Sequence, residues 1–443
     1  MFVKPANWNE LSFEEKRKIR LDYWQSADSV TFESPEAEAR FKERTDLFRA
    51  AYEMRKGARI PSSPMVGTYL YKRMGLTEWD MLYDTEKLAA AGEKIVEFHK
   101  EFDPDAAIFN LAVPGKVLDI LDYKIYVWAG HGIAKERPYQ TVEGEYMMAD
   151  EYPELIRDPT GFFLNKYLPR ACGLLEPLQD LPNLPLQTEI IGVALGAMSF
   201  STPPMRKMLN KLMEAGDETM KFMGATMQST DKLKTMGYAS TMGSFCKAPF
   251  DEIGDTLRGT RGIITDLYRQ PDNVLAACDR YLEISLPNAI KACDSAGGAF
   301  CTFPLHKGAD GFMSQEQFEK FYWPTLKALM EGLNEEGIIP VLFAEGGYNS
   351  RLETIADYPR GRAVWYFDKS DMRLVKDILG DVATIEGNIP TSLMSTGSPD
   401  QLRAYCEELL EIYDDGGFIL TNGAMADQTT DEHVRTIIDV VRQ

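Results

Sequence analysis

One stretch of the chain runs through apolar residues into a single carboxylate and two glycines: Pro340-Val-Leu-Phe-Ala-Glu-Gly-Gly347. A buried strand entering a glycine turn there sets Glu345 at the strand's carboxyl end. In a barrel of parallel strands, that end is where side chains meet substrate. A carboxylate so placed can ligate a metal or hand a proton to a leaving group. Its competing role is to accept backbone amides of the next turn. The same layout recurs at Trp365-Tyr366-Phe367-Asp368, Ile385-Glu386-Gly387-Asn388 and Leu420-Thr421-Asn422-Gly423. Asp368 can bind metal or substrate, or cap the following helix. Asn388 and Asn422 suit a hydrogen bond to a neutral oxygen or water, or a turn in the left-handed region.

His306, in Phe303-Pro-Leu-His-Lys-Gly308, is the histidine best placed to carry a proton, with an ordinary pKa near ~6.5. The alternative is a loop histidine bonded to a carbonyl. Glu345 and His306 are the catalytic candidates, and with Asp368 they are the candidate metal ligands. Lys247, in Phe245-Cys-Lys-Ala-Pro249, either meets an anionic substrate or pairs with a carboxylate. Tyr69, Phe109, Phe245, Phe343 and Tyr366 suit an aromatic or apolar substrate, or serve as core. His131 reads as an exposed turn between glycines or as part of a loop that closes over a pocket, and His99 and His433 read as surface or packing residues on helices. Gly254 to Gly259 lacks the G-x-G start of a dinucleotide site.

These residues need strands to hold them. Apolar runs near 65, 108, 243, 302, 342, 365, 386 and 420 alternate with helical patterns from residue 238 onward. Eight such units in this order predict an α/β fold, a (β/α)8 TIM barrel. Residues 1–60 read as a helical N-terminal extension, with a cap at Ser12 and proline at a first helical turn in Ser34-Pro35-Glu36. One helix is expected over 78–102. Ser314 with Gln317 reads as a capping box. Residues 112–235 read as an insertion forming a lid or a partner surface. Its Met-rich part, Met205 to Met227, is core or a plastic interface. The whole chain, 1–443, reads as a single domain.

The net charge of -20 argues against nucleic acid and against anionic membrane surfaces. The six cysteines form no CxxC pair and read as buried free thiols of a reducing, cytoplasmic setting. No apolar run suits a signal peptide or a membrane span.

The second half resembles the uroporphyrinogen decarboxylase superfamily. The resemblance is carried by Gly243-Ser-Phe-Cys-Lys-Ala-Pro-Phe250, Phe312-Met-Ser-Gln-Glu-Gln-Phe318, Val341 to Gly346, Glu386-Gly-Asn-Ile-Pro390 and Ile419-Leu-Thr-Asn-Gly-Ala424. It covers roughly residues 60–443. True decarboxylases of that superfamily carry an arginine-rich signature after the first strand. Met65 to Arg73 stands there instead, so the resemblance disfavours uroporphyrinogen as the substrate. The other large branch consists of corrinoid-dependent methyltransferases, some with zinc on a His-x-Cys pair and a further Cys. Phe343, Glu345 and Ala424 occupy those positions here. A zinc site, if present, is therefore not of the His-x-Cys kind.

The closest likeness is to O-demethylase-type methyltransferases. That implies methyl transfer from a small methylated donor, such as an aryl methyl ether, to a corrinoid carried by a partner protein. No Asp-x-His-x-x-Gly corrinoid motif occurs in this chain. A homodimer is left open. The alternatives are a decarboxylase or lyase of a small acid, using Lys247, Arg258 and Arg351 as cations, or a non-catalytic binding barrel.

Overall fold

A computed structural model describes residues 2–26, 30–108, 112–181 and 187–443. Its centre is a six-stranded parallel sheet in sequence order, β4-β5-β6-β7-β8-β9. The strands are Ser244–Phe245 (β4), Phe300–Leu305 (β5), Ile339–Ala344 (β6), Val364–Phe367 (β7), Thr384–Ile389 (β8) and Phe418–Asn422 (β9). Aromatic and branched residues in short apolar runs favour strands, and the helices between them carry the chain back for each parallel pairing. Alternation divides each strand into two faces. Cys301, Phe303, Leu305, Leu342, Trp365, Phe367 and Ile385 pack outward into the main core with the covering helices.

The other face points inward, and its lower part is plugged by the N-terminal extension. Leu21, Phe48 and Tyr52 pack with Phe300, Ile339, Val341, Val364 and Ile419. The Tyr52 ring lies 4.7 Å from Phe300, and Thr384 donates to the Ala51 carbonyl at 2.7 Å. The extension therefore closes the amino end of the sheet and leaves the carboxyl end open.

The expected eight-stranded closure is not a continuous ladder. Ser62 makes one parallel bridge to Leu420 and Ala106 one to Ala239. The first extends the β9 edge and the second joins the segment just before β4, but no strand is formed among the described residues near 65 or 108. Pro61 and Pro64 remove the amides a ladder needs, and the helix Tyr69–Arg73 begins soon after. A carboxylate spans the two edges instead. Asp105 is almost fully buried, accepts the Ser62 amide at 2.9 Å, and takes both Arg59 nitrogens at 2.7 and 2.6 Å. The fold is thus an α/β parallel sheet bridged at its edges.

The helix expected over 78–102 is two, Glu78–Tyr83 and Thr85–Phe102. Asp84 breaks the run and caps the second by accepting the Glu86 and Lys87 amides. The cap at Ser12 forms, with Glu15 completing a box, and the capping box at Ser314 forms as expected. The insertion builds a small sheet in order β2-β1-β3 from Tyr126–Ala129 (β1), Gly132–Ile133 (β2) and Gln140–Thr141 (β3). It continues to a long helix, Pro203–Thr235, packed on Thr85–Phe102. All six cysteines are free thiols. Among the described residues, no helix is long and apolar enough to cross a membrane.

Candidate functional site

Two of the sequence candidates meet at the carboxyl end of the sheet. His306 follows the last residue of β5, and Glu345 follows the last residue of β6. Parallel register pairs Leu305 with Ala344, so the next residues emerge side by side. His306 Nε2 lies 3.6 Å from Glu345 Oε1, and His306 Nδ1 lies 2.6 Å from Asp255 Oδ2. Burial works against the imidazolium, but the hydrogen bond to Asp255 and the nearby Glu345 carboxylate outweigh it and push the His306 pKa up to about 10. At neutral pH this site holds a cation between two carboxylates.

The group that orients His306 was not singled out from the sequence. Asp251 and Asp255 lie one turn apart on the helix Pro249–Thr256, which follows β4. Asp251 is fully buried and accepts three hydrogen bonds: the His306 amide at 3.1 Å, the Lys307 amide at 2.9 Å and the Tyr322 hydroxyl at 2.7 Å. Burial and the neighbouring Asp255 carboxylate raise its pKa. Burial acts on Asp255 in the same direction, but its bonds to His306 and Lys247 win and hold it well below the usual carboxylate range. Arg351, also buried, donates to the Gly308 carbonyl at 3.1 Å and to the Met313 carbonyl. The loop bearing His306 is therefore pinned from below by Asp251 and from the side by Arg351. The signal available in the sequence was the i, i+4 pair of aspartates on a helix directly after a strand.

Below the mouth lies an aromatic floor. Phe343 and Tyr366 are register partners on β6 and β7 and stack at 4.3 Å with a 20° angle. Glu386 is the register partner of Tyr366 on β8, so its side chain leaves the same face. It is half-buried and has no hydrogen-bond or ion-pair partner among the described residues. Burial pushes its pKa up to about 8. Phe343, Glu386, Thr302 and Pro304 all keep accessible surface, so the upper part of the sheet's inner face is open, not packed. Phe245 shares the inward face with its partner Thr302 and is 55% exposed at the rim. Tyr139, next to β3 of the insertion, is 54% exposed, and burial of its hydroxyl raises its pKa, with smaller contributions from Tyr126, Glu345 and Glu78.

Other sequence candidates go elsewhere. The Tyr69 hydroxyl donates to Asp431 and its ring packs in a separate core with Leu88, Phe98 and Ile438, because the chain has already turned into a helix there. Asn388 donates to the Ser370 carbonyl at 2.7 Å and accepts the Tyr405 hydroxyl at 2.8 Å, so both ends of its amide are engaged within the protein. Asn422 is likewise engaged. It accepts the Met65 amide and donates to the Met65 carbonyl, both at 2.8 Å, fastening β9 to the edge segment. Lys247 pairs with Asp255 at 2.6 Å instead of facing open space. Asp368 accepts the Gly346 amide at 3.1 Å, and burial raises its pKa. Phe109 lies outside the described residues. No group of three or more His, Cys, Asp or Glu side chains among the described residues is placed to hold a metal. His306 and Glu345 come together, and Asp368 does not complete a set. His131 is half-exposed and stacks on Trp128 at 4.2 Å, whereas His99 is fully buried.

Comparison with known proteins now bears on this arrangement. The profile of the family described as uroporphyrinogen decarboxylase (URO-D) matches residues 192–443, which include every strand of the main sheet. The chain belongs to that family. No curated protein matches it. Among solved structures it is similar to a methyltransferase from Methanosarcina mazei, with a TM-score of 0.58 and 14% identity. That match covers 90% of this chain and 98% of the other. At that identity the likeness is one of fold.

Proposed function

We propose that the protein moves a methyl group from a small methylated donor, an aryl methyl ether in the simplest case, to a corrinoid cofactor carried by a separate protein. The observation that carries this reading is His306. It is a cation held between Asp255 and Glu345, one side-chain level above the stacked rings of Phe343 and Tyr366. An aromatic donor lying on that stack directs its ether oxygen at the His306–Glu345 pair. Membership of the URO-D family and the fold shared with a named methyltransferase support the reading.

In the step envisaged, the methyl carbon bonds to the nucleophilic acceptor and the C–O bonding pair stays on oxygen. The leaving oxygen then becomes an anion beside His306. A fixed imidazolium stabilises that charge in place, and its Nε2 proton is available to neutralise it. Glu345 holds the ring's orientation, and solvent, to which a third of the His306 side chain is open, returns the proton for the next turnover. Asp251 and Arg351 keep the loop rigid so that the ring does not swing away.

The decarboxylase reading needs free cations in the pocket, and its three candidates are engaged. Lys247 pairs with Asp255, Arg258 with Asp266 at 2.6 Å and Glu145 at 2.7 Å, and Arg351 with backbone carbonyls. The test is a panel of aryl methyl ethers, methylamines and small carboxylic acids, offered with a reduced corrinoid protein. Release of a demethylated product from one class of ether supports the proposal. Carbon dioxide release from an acid, with no methyl transfer, overturns it.

A further inference from the structure

Glu386 has no part in the methyl transfer and no hydrogen-bond or ion-pair partner among the described residues. It stands in a row of register partners that crosses the sheet: Phe343 on β6, Tyr366 on β7, Glu386 on β8 and Ile419 on β9. Two residues before it on the same strand and face, Thr384 donates to the Ala51 carbonyl at 2.7 Å. That bond fastens the end of the helix Pro35–Tyr52 beneath Glu386, so Tyr52 approaches the same space from below. Tyr52 is only 3% exposed, yet its hydroxyl makes no hydrogen bond among the described residues. Burial raises the Tyr52 pKa well above its ordinary value and the Glu386 charge adds to the rise, so the two groups are within electrostatic reach of each other. Buried polar groups are ordinarily hydrogen-bonded, and two idle ones at the bottom of an open face call for a ligand atom or water.

We propose that Glu386 and Tyr52 form a second polar subsite, beside the Phe343–Tyr366 stack, which donates two hydrogen bonds to a carbonyl oxygen on an aromatic ligand. Where that ligand is the methyl donor, which rests on the methyl-transfer reading, the substrate class narrows to aryl methyl ethers with a ring-conjugated carbonyl at the end away from the ether. His306 rises from β5 on one side of the stack and Glu386 leaves β8 on the other. Glu345 lies two residues beyond Phe343, ~6.6 Å further along its strand, so a para-disubstituted ring lying across the stack runs from the upper level to the lower.

The chemistry of the pair selects an oxygen acceptor. Burial pushes the Glu386 pKa up to about 8, so near neutral pH the carboxyl keeps its proton and offers an O–H. Burial also keeps Tyr52 and Tyr366 protonated, and the Tyr366 hydroxyl is already given to the Asn422 carbonyl. At this level β9 brings the apolar Ile419, so the titratable groups facing Glu386 are these two tyrosines and no charged one among the described residues. A neutral carboxylic acid beside a tyrosine can hold an oxyanion in an apolar site. A cationic group would first have to displace the Glu386 proton and is the less favoured occupant. As the methyl carbon bonds to its acceptor, the C–O bonding pair stays on the ether oxygen. Conjugation spreads that charge to the carbonyl oxygen, where both hydrogen bonds strengthen without a proton moving at Glu386.

The experiment is isothermal titration calorimetry on the full chain without a corrinoid protein, so that binding is read without turnover. The probes are para-methoxyacetophenone, para-ethylanisole, which lacks the carbonyl, and (para-methoxybenzyl)trimethylammonium, which carries a fixed cation. At about pH 6.5 the ketone should bind ~10-fold or more tighter than para-ethylanisole, as hydrogen bonds to buried groups allow. That advantage should fall as pH rises through about 8, where Glu386 ionises. Glu386→Leu and Tyr52→Phe should each lose most of it. Glu386→Gln still donates, so it should keep the advantage and lose the pH dependence, which a merely structural role would not move. Thermal melting verifies that each variant is folded. Equal affinity for the ketone and para-ethylanisole overturns the proposal, and so does binding of neither at ~10 mM, which leaves the space to internal water. Tighter binding of the cation, with affinity rising with pH, assigns the subsite to that occupant and overturns it equally. The methyl-transfer reading fails separately: ketone selectivity with no methyl reaching a reduced corrinoid protein removes that reading and leaves the subsite.

Discussion

Replacing Asp255 with Asn removes the nearer of the two charges that hold His306. Asp255 lies 2.6 Å from the ring and Glu345 3.6 Å, so Asp255 carries the larger share of the upward shift from 6.5 to about 10. Taken at face value that shift is ~5 kcal/mol of preference for the cation. A third of the His306 side chain is open to solvent, and screening reduces the figure to about 2 kcal/mol. The His306 pKa in Asp255→Asn should therefore fall by ~1.5 units or more. The sign of the stability effect follows. A group whose folded pKa is raised stabilises the fold fully below its unfolded pKa of ~6.5, and that contribution is lost as pH rises through about 10. The variant should be less stable than wild type at pH 7, with the difference shrinking by pH 10.5.

Lys247 and Lys307 also lose a partner in this variant. A double-mutant cycle with His306→Gln isolates the histidine term. Nitrogen-15 histidine spectra across a pH titration give the direct readout, and the chain has only four histidines to assign. His306 titrating near 6.5 in wild type, or unmoved by Asp255→Asn, would refute the reasoning.

Further expectations follow from the same geometry. Glu345→Gln is nearly isosteric and should cut methyl transfer ~10²-fold while melting like wild type; full activity in a folded variant removes Glu345 from the mechanism. Glu386, with its pKa raised from 4.5 to about 8, stays protonated in the fold while the unfolded chain ionises, so its contribution to stability declines from pH ~4.5 to ~8. Urea unfolding should show Glu386→Gln gaining on wild type across that window, and parallel curves would contradict this. Arg59→Ala strips the buried Asp105 carboxylate of its two-pronged partner, leaving Arg442 at 3.8 Å, and should cost ~3 kcal/mol in chemical denaturation.

The strands from 299 onward were legible because each is a short apolar run closed by glycine, proline or a polar residue, and the capping serines marked helix starts. The strands expected near 65 and 108 do not form among the described residues: Pro61 and Pro64 interrupt the first, and the buried Asp105 carboxylate joins the two segments instead. His306 and Glu345 were readable as strand-end residues. Asp251 and Asp255 were not, because their importance lies in contacts 51 to 71 residues away along the chain. Tyr69 was misplaced because an aromatic near a strand end does not reveal that the chain has turned into a helix. The asparagine amides were misread for a related reason: sequence shows a hydrogen-bonding group but not whether the protein already satisfies it. Glu386 stood in a recognisable motif, yet its lack of a partner is visible only in three dimensions.

The most direct test of the central claim follows a deuterated methyl group. The protein is mixed with a trideuteromethyl aryl ether and a reduced corrinoid protein, and both products are weighed by mass spectrometry. The account predicts trideuteromethyl-corrinoid and the free phenol in equal amounts, with both lost together in His306→Ala and Glu345→Gln. Transfer that proceeds at wild-type rate in those folded variants, or no label on the corrinoid with any ether in the panel, would contradict it.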